Sequence, residues 1–79
     1  MFGKKYRWTK EDNQIAETEQ AIAGLMAREK VKEASHPLVK GKVELMMNSL
    51  GRKIGAKNLD MAVTPYSDGS VQVIISKVR

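Results

Sequence analysis

Few side chains here could do covalent chemistry, and their spacing decides which chemistry is open to them. Glu33-Ala34-Ser35-His36 has the Glu-x-x-His spacing by which carboxylate-bridged di-iron bundles set two ligands on one helix face. Such a centre needs a second copy of the motif and two more carboxylates, which a dimer could draw from Glu29 or Glu44. But His36 precedes Pro37, and the residue before a proline is pushed out of the helical region, so the one-face geometry is lost. Ser35 stands beside the same histidine; chain neighbours seldom converge, and no third group is evident to orient the base. Gly51-Arg52-Lys53-Ile54-Gly55 is glycine-rich and basic, yet it lacks the Gly-Lys-Ser/Thr ending and the preceding strand of a phosphate-binding loop. It also lacks the GxxG by which KH domains grip RNA. Small-residue packing against the first helix explains its glycines better. Met26, Met46, Met47 and Met61 read as core filler. There is no cysteine, hence no disulfide and no thiolate metal site. We therefore expect no catalytic residue, no metal and no cofactor: the chain reads as a binding protein, not an enzyme.

Binding chemistry is better represented. Phe2, Tyr6 and Trp8 interleave with Lys4, Lys5 and Arg7, a pattern in which rings stack on bases while cations meet phosphates. Trp8 is the ring most apt to pack back onto the body. The net charge is +5, unevenly spread: residues 1–10 carry +4 and residues 11–20 carry −4. Arg52, Lys53 and Lys57 form a second cationic group. A basic surplus favours an anionic partner, nucleic acid first. The candidate nucleic-acid contacts are thus Lys4, Lys5, Tyr6, Arg7, Arg52, Lys53 and Lys57. Zinc-finger, homeodomain, RRM and basic-zipper signatures are absent, so backbone-dominated, salt-sensitive binding is expected.

The elements that must position these residues follow from periodicity. Residues 1–8 form an arm, and residues 9–79 a single domain. Thr9 can cap a helix, with Glu11 and Asp12 in its first turn and Asp12 placed for a capping box. Ile15, Ile22 and Met26 share a face, and the alanine content carries the predicted helix over about 10–34. Pro37 suits a first helical position and opens a second helix over about 37–54. Val39, Val43, Met46, Leu50 and Ile54 line one side of it, and Gly55 stops it.

Strands are expected over about 58–65 and 71–78, reversed at Tyr66-Ser67-Asp68-Gly69-Ser70. A two-residue Asp68-Gly69 turn would set Val63 opposite Ile74 and mix apolar residues over both faces. A three-residue loop with Gly69 left-handed sets Val63 opposite Val73 and Met61 opposite Ile75. Burial selects the second register, because one residue of slip inverts every side chain. Helix two should then cover the apolar face, burying Val43, Met46, Leu50, Val63 and Val73. Ile74 and Val78 point the other way unless helix one folds back over them.

The fold class is accordingly α+β in ααββ order. A chain of 79 residues has a marginal core, and a lone hairpin is weaker still, so a homodimer is expected. Pairing second strands would complete a four-stranded sheet; the candidate seam is Ala16, Ala23, Ala27, Gln72, Ile74 and Val78. No stretch approaches the ~20 apolar residues of a membrane span, and the N-terminus lacks the apolar run of a signal peptide. A cytoplasmic location fits. Two functions are carried forward. One is a small basic nucleic-acid-binding dimer; the other is a protein-interaction module (inhibitor, adaptor or assembly factor) that binds through the hairpin edge or the long first helix.

Overall fold

A computed structural model describes residues 8–78, and the order is helix, helix, strand, strand. Helix α1 spans Lys10–Glu29. Thr9 caps it from an extended conformation. Its Oγ1 accepts from Asp12 N at 3.1 Å, while the Asp12 carboxylate accepts from Thr9 N at 3.0 Å. This reciprocal box satisfies two donors that a helix start leaves unpaired.

The helix ends five residues short of the expected Ala34. Lys30 turns left-handed at φ 58°, its N–H donating to Ala27 O at 3.2 Å, and Val31 N donates to Met26 O at 3.0 Å. Those two bonds are a Schellman closure, which brings an apolar residue after the cap onto one in the last turn. Here these are Val31 and Met26, both buried. No glycine announces the stop, so the alanine-rich stretch reads as a longer helix than it makes.

Helix α2 spans Lys40–Ile54, beginning three residues after Pro37. His36 Nδ1 accepts from Leu38 N at 3.1 Å and holds Pro37–Val39 as a turn. Val39, at φ −122°, is then driven into the core while Leu38 is left outside. Gly55 ends α2 at φ 70°, as expected. Gly51 O accepts from both Gly55 N and Ala56 N. A Cβ on Gly51 would stand 3.0 Å from Ala56 O and 3.8 Å from Leu59. Gly51 therefore serves the helix ending and the approach of the strand, not packing against helix one.

Strands β1 (Leu59–Pro65) and β2 (Val71–Lys77) pair antiparallel with Val63 opposite Val73 and Met61 opposite Ile75. Gly69 has φ 92°, and Tyr66 N donates to Ser70 O at 2.9 Å. Asp68 Oδ1 accepts from Ser70 Oγ and Ser70 N, bonds that hold its carboxyl below the usual range.

The layering differs from expectation. Helix α1, not α2, lies against the ribbon; it touches β2 on one side and α2 on the other. Val43, Leu50 and Val73 are buried as expected, whereas Met46 and Val63 are only half-buried. Ile74 stays 49% exposed, because α1 covers the opposite face through Val73 and Ile75. The reason lies in α1's apolar stripe: Ile22, Leu25 and Met26 are wide enough to serve the strand and the second helix together.

Candidate nucleic-acid interface

The second cationic group sits where α2 ends and the chain runs back into β1. Met47, Asn48, Gly51 and Arg52 from α2, with Gly55, Ala56, Lys57, Asn58 and Leu59 from the connection, line an open cleft of about 560 Å³. Met47 and Leu59 supply its apolar part; Arg52, Lys57, Asn48 and Asn58 supply polar groups, and no acid lines it. Arg52 and Lys57 enter no ion pair within the described residues. Neighbouring helix residues diverge by about 100°, so Lys53 faces elsewhere. It lines the groove between the helices with Gln14, Glu17, Thr18 and Ser49.

The backbone of the helix ending offers an anion nothing here. The N–H groups of Gly55 and Ala56 are both taken by Gly51 O, and a helix C-terminus carries partial negative charge. An anion in this cleft would be held by the Arg52 guanidinium, the Lys57 ammonium and the Asn48 and Asn58 amides. That set matches phosphate oxygens on a flexible chain, since it offers charge and side-chain donors without a rigid cradle.

Lys4, Lys5, Tyr6 and Arg7 lie outside the described residues. Residues 8–78 carry ten cationic and nine acidic side chains, a net +1; Lys4, Lys5, Arg7 and Arg79 carry the other +4. Within the body the charge is segregated. Residues 28–57 hold eight cations against three acids, and the remainder holds two against six.

The other candidate positions divide. Ala16 and Ala23 share a helical stripe with Glu19, whose Oε2 accepts from Ile75 N at 2.7 Å. The two alanines are half-buried on the side of α1 that faces β2, while Ala27 is exposed. Gln72, Ile74 and Val78 lie on the outer face of the ribbon, with Gln72 Oε1 accepting from Tyr66 Oη at 2.8 Å. Glu33 and His36 stand in the turn between the helices. Among the described residues no three His, Asp or Glu side chains come together as metal ligands, and no helix is long and apolar enough to cross a membrane. Asn48 and Asn58 carry no sequence signal for their places; Glu19 shows in the sequence only as an acid interrupting an apolar stripe, and contact across the fold reveals its partner. The chain matches no known protein family, no curated protein and no solved structure.

Proposed function

We propose that the protein is a small non-enzymatic binding protein that engages nucleic acid through its phosphate backbone. The observation that carries this is the acid-free cleft lined by Arg52, Lys57, Asn48 and Asn58. With so near-neutral a body, the cleft acts together with the cationic arm, and both release counterions on binding. Among the described residues no element presents a row of base-reading side chains, so contact is to backbone first, with stacking left to Tyr6. Fluorescence anisotropy of a labelled single-stranded oligonucleotide, titrated at stepped salt, tests the reading. Arg52→Ala with Lys57→Ala should weaken binding and lower the log–log salt slope by roughly 1 per cation removed. Absence of binding at low salt, or an unchanged slope in the double variant, would discard it.

A protein-interaction role is the second reading. It is favoured by the exposed outer face of the ribbon, where Tyr66, Ile74 and Val78 stand about half exposed. A partner held there would bind with little dependence on salt, unlike nucleic acid.

A further inference from the structure

The two edges of the hairpin are not equivalent. Tyr66 N bonds Ser70 O, and Val78 N bonds Asn58 O. Antiparallel ladders alternate, so these bonds fix the hydrogen-bonded pairs as Tyr66–Ser70, Thr64–Gln72, Ala62–Ile74, Asp60–Ser76 and Asn58–Val78. The intervening residues turn their backbone groups outward: Val71, Val73 and Ile75 from β2, and Leu59, Met61, Val63 and Pro65, the last with no N–H to offer, from β1. On β2 the middle of that edge is covered. Ile75 N donates to Glu19 of α1, and Val73 and Ile75 are 6% and 4% exposed. On β1 it is open, and the inner-face residues Leu59, Met61 and Val63 are only half-buried.

We infer that β1 is the seam of a two-fold homodimer, in which two copies pair antiparallel as a β2–β1–β1–β2 sheet. A second copy is favoured over another strand for two reasons. The first is closure. An added foreign strand would present a new open edge, whereas a second copy brings an outer edge already covered by its own Glu19 and α1, so assembly stops at two. The second is charge. Self-pairing with Ala62 on the axis sets Met61 opposite Val63 of the second copy and Asp60 opposite its Thr64, which keeps the two Asp60 carboxylates apart. The same register carries Lys57 of each chain to the Asp68 turn of the other. Alanine on the axis suits the close approach of a non-hydrogen-bonded pair. Half-buried Met61 and Val63 would complete their burial against each other across the axis, and Leu59 would complete its own against Pro65 of the second copy. Nucleic acid and the second copy then compete for Lys57, so the dimer is tested on protein alone.

Sedimentation equilibrium at micromolar concentration, with amide exchange followed on dilution, reads the seam directly. The expected result is a two-chain mass, with Met61 and Val63 amides that exchange slowly in the dimer and faster as it dissociates. Val63→Pro removes one outward N–H without touching the intrachain ladder and should give a monomer with unchanged far-ultraviolet circular dichroism. Lys57→Glu should weaken association several-fold. Ile74→Lys, on the outer face, should leave the mass at two chains. A monomeric mass for the unmodified protein overturns the inference. So does a mass above two chains, loss of the dimer in Ile74→Lys, or a dimer whose Met61 and Val63 amides exchange at one rate at every concentration. The exchange readout needs no variant, so it stands even where Val63→Pro does not fold.

Discussion

Lys30 holds φ 58° without being glycine, a conformation in which an L side chain crowds the backbone at a cost of about 1 kcal/mol. The Schellman bonds and the burial of Val31 over Met26 offset that cost. Lys30 itself is exposed and makes no side-chain bond within the described residues, so its side chain is expendable. Lys30→Gly should stabilise the protein by about 1 kcal/mol and raise the melting temperature by roughly 4–8 °C, read by thermal circular dichroism. Glu19 is the opposite case: an acid on an apolar stripe that is fully employed. Glu19→Ala would strip Ile75 N–H of its partner beside a buried side chain. The expected loss is about 1–3 kcal/mol by urea denaturation, with faster exchange at Ile75.

At the scale of elements, α1 is the keel. It carries Ile22 and Met26, both fully buried, and meets β2 and α2 on different sides of one stripe. Helix α2 is held by Val43 and Leu50, with Met46, Met47 and Ile54 half-buried around them. Leu50 is 1% exposed, so Leu50→Ala should cost ~2–5 kcal/mol, and Val43→Ala less because fewer carbon atoms leave the core. Urea midpoints at equal slope would show that order; a near-neutral Leu50→Ala would detach α2 from the core. Low sequence separation within α1–α2 and within the hairpin leaves α1–β2 as the long-range contact that unites the halves.

For the whole molecule, charge separation outweighs net charge. The basic stretch 28–57 holds α2 and the turns on either side of it, while the first half of α1 and the hairpin are acidic. One exposed pair, Lys77–Glu11 at 2.6 Å, ties hairpin to helix within the acidic part and contributes little to stability. Lys4 and Lys5 should serve an anionic partner and not the fold. Deleting residues 1–5 should leave the melting temperature nearly unchanged while flattening the salt dependence of nucleic-acid binding. Equal binding with and without those residues would move the whole role to the Arg52–Lys57 cleft.

Much of this architecture was local and therefore legible in the residue order. Thr9 with Asp12 starts a helix, Gly55 ends one, and Ser67-Asp68-Gly69 with alternating apolar residues sets the hairpin register, because each signal acts within a few residues of itself. Three features depended on contacts between distant residues. The stop at Lys30 depends on what Val31 can bury against, and the alanines past it argue for the wrong end. The cover of the ribbon fell to α1, since two amphipathic helices compete for one apolar face and periodicity cannot say which wins. The cleft joins Asn48 and Arg52 to Lys57 and Asn58 across a helix ending. Adjacent Arg52 and Lys53 look equivalent along the chain; helical rotation sends one to the cleft and the other to the groove between the helices, and only the placement of α1 gives that rotation a consequence.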